Sequence, residues 1–191
     1  MSESLRDRRK RRTAEAIVAA ALELFAARGF ERTTIDQIAA AADISRRTFF
    51  RYFADKEELF FAEDERLLEV IEATLDAAPG GEPVLELARR ATRALAARST
   101  ADPERRLARE RLIAATPALQ VLGQPAGLQG RGGGDQAHLV ERGAREQEAL
   151  LVPKLAMACF QTAYERWVRD PGRDLPGLVD ESFAALGGIA G

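Results

Sequence analysis

Between Ser45 and Phe53 the chain reads SRRTFFRYF, four aromatic rings and three arginines within nine residues. Guanidinium groups are permanent cations whose planar fork of donors matches phosphate and the O6/N7 edge of guanine. Ser45 is a favoured N-cap, which puts Arg46, Arg47 and Thr48 in a first helical turn, where side chains and free backbone N–H groups would receive an anion. At helical spacing Phe49 and Phe53 share one face, while Arg46 with Phe50 and Arg47 with Arg51 make two further rows. One edge is suited to a core and the other is basic. The same spacing also describes an amphipathic helix with a merely solvated arginine face.

The residues upstream decide what positions this segment. In Thr33-Thr34-Ile35-Asp36-Gln37-Ile38-Ala39, Thr34 and Gln37 stand at capping-box spacing, and Ile35, Ile38 and Ala39 lie at i, i+3 and i+4. The spacing predicts a helix. Between the two helices lie only Ala41, Ala42, Asp43 and Ile44, room for a tight turn in which Asp43 can take a left-handed backbone. Helix, short turn and arginine-headed helix form a helix-turn-helix, whose second helix lies in the DNA major groove.

With the run from Ile17 to Gly29 and Phe30, then TTIDQIAAAADIS and RRTFFRYFADKEELF, residues 13–61 resemble the DNA-binding domain of the tetracycline-repressor (TetR) family of bacterial transcriptional regulators. Two positions depart from the family pattern. Asp43 stands where glycine is usual, and Phe50 replaces a tyrosine whose hydroxyl contacts phosphate, which removes one expected contact. The resemblance implies that Thr34, Tyr52 and Lys56 meet phosphate. Arg46, Arg47 and Thr48 are the expected base-edge readers, with arginine to guanine the favoured pairing. The full candidate DNA-binding set is Thr34, Ser45, Arg46, Arg47, Thr48, Phe50, Tyr52 and Lys56.

Composition fits a local basic site on a globular chain. The 191 residues are 46% hydrophobic and 30% charged, with a formal net charge of -2, so a DNA site must be a patch and not the whole surface. From Arg6 to Arg12 the sequence RDRRKRR holds six basic residues against one acid. Residues 1–12 are expected to be a disordered basic arm, in which Arg8, Arg9, Lys10, Arg11 and Arg12 touch phosphate or a minor groove, or else simply solubilise the chain. The single cysteine, Cys159, excludes an internal disulfide and reads either as a redox sensor or as a buried inert thiol. No apolar run reaches the roughly 20 residues of a membrane span, and the N-terminal charges are not read as having the apolar h-region of a secretory signal behind them, so a cytoplasmic protein is expected.

Elsewhere the pattern is helical and no alternating strand appears. A first helix over Thr13–Arg28 has Ile17, Ala21, Leu24 and Phe25 on one stripe and ends at Gly29. Asp55 and Glu58 open a long fourth helix that would link the N-terminal domain to the remainder of the chain, broken by Pro79-Gly80-Gly81. Pro83 restarts a helix through about Ser99, and Asp102-Pro103 opens another before Pro117. The glycine-rich stretch 117–134 is expected to be a loop, although the resemblance implies helix there. It lacks the strand and the Gly-Lys-Ser/Thr of a phosphate loop. A charged helix is expected over 135–150, carrying His138 as a surface residue, then a helix beginning at Pro153 and a last one after Asp174.

The two terminal helices could close a monomer core or pair across a two-fold axis. The resemblance implies the second, a homodimer. The stretches RLARERLIAATPALQ and AMACFQTAYERWV are similar to a TetR subgroup that includes mycofactocin-system regulators, which implies a small apolar, acyl-CoA-like effector. Leu112, Ile113, Leu155, Met157, Phe160 and Trp167 are the candidate pocket, although the same side chains filling a core is the more ordinary fate for most of them. The sequence thus predicts an all-α protein of about nine helices, with a DNA-binding domain over 13–61 and a ligand-binding and dimerisation domain over 62–191. It predicts a homodimeric, ligand-responsive repressor on a palindromic DNA operator, with no cofactor, no metal and no membrane partner. Two other classes stay open: a sequence-indifferent architectural DNA binder, and an enzyme on a helical scaffold, for which no catalytic constellation is visible.

Overall fold

Caps and breakers place the helices. The computed structural model describes residues 5–122 and 139–189, without the side chains of residues 7, 60–68, 118, 121, 122 and 189; most of the glycine-rich stretch, together with His138, lies outside them. Among the described residues there are nine helices: α1 (Leu5–Arg28), α2 (Ile35–Ala41), α3 (Arg46–Tyr52), α4 (Glu58–Asp76), α5 (Val84–Ser99), α6 (Pro103–Ala115), α7 (Pro117–Leu122), α8 (Glu146–Arg169) and α9 (Leu175–Ile189). Most start on a cap visible in the sequence. Asp55 accepts from the Glu58 amide at 2.7 Å, Asp102 from Arg105 at 3.1 Å and Asp174 from Gly177 at 2.8 Å, each satisfying an amide that has no partner within its helix.

Packing divides the chain into two units, Met1–Asp64 with Ala108–Gln124, and Glu65–Leu107 with Pro125–Gly191. Of the boundaries between them, those at 64/65 and 107/108 fall inside helices, α4 and α6. The first unit is built on an aromatic core. Ile17, Val18, Ala21 and Phe25 of α1 are buried with Phe30, with Ile38 and Ala39 of α2, and with Phe49, Phe53 and Leu59. Leu119 of α7 completes that cluster, with Leu112 and Ile113 of α6 packed against it, so the stretch around residue 112 belongs to the N-terminal core. Sequence spacing cannot show such a return of the chain.

Gly29 ends α1 at φ 84°, its amide donating to the Phe25 carbonyl at 2.8 Å. Asp43 is the one non-glycine among the described residues with positive φ, at 54°. Its amide and that of Ile44 donate to Ala40 and Ala39, at 3.2 and 2.9 Å, closing the turn between α2 and α3. One expectation changes at the N-terminus. Residues 5–12, expected to be disordered, form the first turns of α1. Leucine, arginine and lysine are good helix formers, and no breaker separates them from Thr13.

In the second unit α5, α8 and α9 bury Leu95, Ala96, Cys159, Phe160, Ala163, Trp167, Leu175, Leu178, Val179 and Phe183 in one cluster. A further cluster joins Leu75, Ala78, Leu87, Ala91, Leu139, Ala144 and Ala149. Burial pushes the Cys159 thiol up, so it stays protonated and poorly nucleophilic. The expected charged helix over 135–150 is instead interrupted at Gly143, whose φ is 94°, and Pro153 does not start a helix. It sits inside α8, which begins at Glu146 on a capping pair between Arg145 and Glu148. An internal proline removes one helical hydrogen bond, at roughly 3 kcal/mol. The helix persists because its two sides are anchored separately: Ala149 before the proline in one cluster, Cys159 and Phe160 after it in the other.

The turn at Asp43 offers a direct check. A left-handed backbone costs an ordinary L-residue about 1–2 kcal/mol, and a branched side chain fares worst. Asp43→Val is expected to lose that much in chemical denaturation, whereas Asp43→Gly should match or exceed the parent. Equal stability of the two variants would contradict the turn geometry.

Candidate nucleic-acid interface

The recognition segment is fixed from beneath. Phe49 is fully buried and Phe53 is 6% exposed, their ring centroids 5.9 Å apart, and Phe49 stands edge-on to Phe50 at 5.6 Å. With that face sealed, helical geometry turns Arg46, Arg47, Phe50 and Arg51 to solvent, and all four are exposed. Ser45 caps α3 as expected, its Oγ accepting from the Thr48 amide at 3.0 Å. The Thr48 hydroxyl lies 2.9 Å from the same Oγ. Ser45 and Thr48 therefore shape the helix start, and Thr48 has its hydroxyl engaged locally.

The three arginines are not equivalent. Arg46 is paired with Asp36 of α2 at 2.8 Å and lies 5.5 Å from the Phe50 ring centroid. Arg51 lies 5.3 Å from the ring of Tyr52. Among the described residues no acid or carbonyl engages Arg47. It is the least restrained cation on the helix.

Of the residues expected at phosphate, Thr34 caps α2. Its hydroxyl accepts from the Gln37 amide at 3.3 Å while its own amide donates to Gln37 Oε1 at 3.0 Å, the complete capping box. The hydroxyl proton is left over for an outside acceptor. Tyr52 rests its ring on the N-terminal core. Lys56 is half-buried: its Nζ donates to the Phe30 carbonyl at 2.9 Å and stands 4.2 Å from the Phe30 ring centroid. It thus ties the segment after α3 back to the loop after α1, with two of three ammonium donors still unassigned. Arg8, Arg9, Lys10, Arg11 and Arg12 are exposed along the first turns of α1.

The six residues of the candidate pocket belong to two units. Leu112 and Ile113 pack on the N-terminal core, whereas Phe160 and Trp167 are buried in the C-terminal one with Met157 packed against them. Leu155 is half-buried on α8. Two residues escaped the sequence reading, Asp36 and Phe30. Nothing in the spacing of Asp36, ten residues before Arg46, marks it as that arginine's partner, because the pairing depends on the angle between α2 and α3.

Comparison with known proteins gives the same picture. Residues 17–62 match the family described as bacterial regulatory proteins, tetR family. The transcriptional regulator TcmR of Streptomyces glaucescens is 40% identical over 121 residues, 60% of this chain; the match spans about half of that relative, 54% of its length. MftR of Mycobacterium tuberculosis, named for the regulation of mycofactocin biosynthesis, is 30% identical over 189 residues, which cover 97% of this chain and 94% of that protein. Among solved structures, the fatty acid degradation regulator FadR of Bacillus halodurans shares the fold at a TM-score of 0.62 and 21% identity, over 97% of this chain and 96% of that one. FadR of Thermus thermophilus, a TetR-family repressor in complex with lauroyl-CoA, is similar at a TM-score of 0.52 and 26% identity, over 91% and 92% of the two chains. A capped helix-turn-helix on an aromatic core, within an all-helical chain that aligns end to end with such a regulator, settles the assignment: the protein belongs to the TetR family of bacterial transcriptional regulators.

Proposed function

We propose that the protein is a cytoplasmic, homodimeric repressor that binds a palindromic DNA operator and is released from it by a small apolar effector of the acyl-CoA-like class. The observation that carries the DNA half is the exposed basic start of α3 above the sealed Phe49–Phe53 face. In this reading residues 13–61 read DNA, and residues 62–191 bind effector and dimerise. Arg46 and Arg47 contact base edges, with Ser45 and Thr48 holding the helix start and Phe50 available to a thymine methyl. Thr34, Tyr52, Lys56 and the basic turns of α1 contact phosphate and set register.

Dimerisation through α8 and α9 is supported by their two-sidedness. Each buries one face, and the outer side of α9 presents Ala184, Ala185, Gly187 and Gly188, small residues that permit close helix approach. Two subunits would place two α3 helices about one DNA turn apart, or a multiple of it. The lauroyl-CoA bound by the Thermus thermophilus relative supports an acyl thioester as effector class. Its site is proposed around Leu155, Met157, Phe160 and Trp167. An effector shifts the repressor only by its difference in affinity between the DNA-bound and free states.

Selection of genomic fragments by the purified protein, with footprinting against random competitor DNA, tests the reading; affinity that tracks charge alone would mark an architectural binder. On a selected operator, Arg47→Ala is expected to cost about 1–3 kcal/mol and relax preference at one base pair. Lys56→Ala should weaken all duplexes alike and reduce the slope of log K against log salt by about 0.9 per phosphate contact. It should also lower thermal stability through the lost Phe30 bond, an independent readout. Lauroyl-CoA should raise the protein's melting temperature and lower operator affinity together. A rise in melting temperature without loss of operator affinity would exclude an effector role.

A further inference from the structure

Asp36 lies in the first turn of α2 and presents both carboxylate oxygens to one nitrogen of Arg46, Nη1, at 3.0 and 2.8 Å. The pair is exposed, with side-chain exposures of 60% and 64%, so it adds little to stability. Its effect is on geometry. The guanidinium is bracketed by a carboxylate from the neighbouring helix and by the Phe50 ring one turn along its own helix, 5.5 Å from centroid to Cζ. Because both oxygens use Nη1, the opposite edge of the fork, Nε with Nη2, engages no partner among the described residues. That edge carries the parallel pair of donors that matches guanine O6 and N7. A flexible arginine loses rotamer freedom when it reads a base, and one already held loses less.

The charge of Asp36 acts in the opposite sense. A carboxylate beside a DNA-reading surface repels every duplex, whatever its sequence. The repulsion is offset only where Arg46 meets its base, which penalises wrong sites more than the right one.

We propose that Asp36 is a specificity-determining positioning residue: with Phe50 it pre-orients Arg46 as a guanine reader, and its charge suppresses binding to sequences lacking that guanine. This rests on the reading of α3 as the DNA-contacting helix. Phe50 shares the task, which gives the aromatic ring a role that needs no hydroxyl.

Fluorescence-anisotropy titrations of the full-length protein test it, using a selected operator, its single-base-pair variants and a random duplex across a salt series. Asp36→Asn is expected to tighten random-duplex binding several-fold, while discrimination at one G·C pair falls about tenfold. In an Arg46→Ala background the same substitution should leave that base pair unaffected, since Asp36 acts through the arginine. Asp36→Glu keeps the charge but moves the carboxylate by one methylene, so it should lose discrimination without tightening random binding. This second variant carries the test if the asparagine form fails to fold. Unchanged discrimination in the folded variants, a uniform loss on all duplexes, or an equal effect with and without Arg46 would overturn the proposal. A parent protein that prefers no sequence over random DNA would instead overturn the DNA-reading assignment beneath it.

Discussion

Burial of Phe49 and Phe53 is the constraint on which the rest of the DNA-reading unit depends. Helices α2 and α3 have seven residues each, well below the roughly 12–15 at which an isolated helix becomes even marginal in water. Their capping bonds, about 1 kcal/mol apiece, start the helices but cannot hold them. Burying an aromatic side chain contributes about 1.5–3 kcal/mol, and the cluster of Phe25, Phe30, Phe49 and Phe53 supplies that several times over. Because side chains on a helix are fixed in rotation relative to one another, the anchoring that secures α3 also dictates which residues cannot be buried. Arg46, Arg47, Phe50 and Arg51 are outward because Phe49 and Phe53 are inward.

The same core explains how charge is allocated. A net charge of -2 gives the chain no general attraction for a polyanion, so cations must be placed. They are placed in graded states of restraint. Lys56 is drawn onto the carbonyl and ring of Phe30, within the structure; Arg46 is held by an exposed acid; Arg47 has no such tether among the described residues. An ammonium used internally keeps its charge but has little freedom, which suits a fixed phosphate contact better than a base reader. An untethered arginine can search a groove but loses rotamer entropy on binding, whereas a tethered one reads with less entropy lost and less tolerance. Two neighbouring arginines of opposite kind would give the proposed reading head both reach and selectivity.

How far these features could be seen in the sequence depends on the range of the interactions behind them. Much that is decided within a few residues was visible: the Thr34–Gln37 capping box, the Ser45 cap, the left-handed turn at Asp43, the glycine stop at residue 29, and the inward spacing of Phe49 and Phe53. Features decided by distant packing were not. Leu112, Ile113 and Leu119 read only as apolar positions, and nothing near them in the chain marks that α6 and α7 return them to the core begun by α1. Pro153 looked like a helix start because a proline inside a helix forfeits a backbone bond, and only the separate anchoring of Ala149 and Cys159 keeps the continuous helix stable. Nothing local singles out Asp36, since its meeting with Arg46 depends on how two short rods cross. That crossing is itself set by the aromatic cluster, so even this polar contact arises from apolar packing that no local pattern describes.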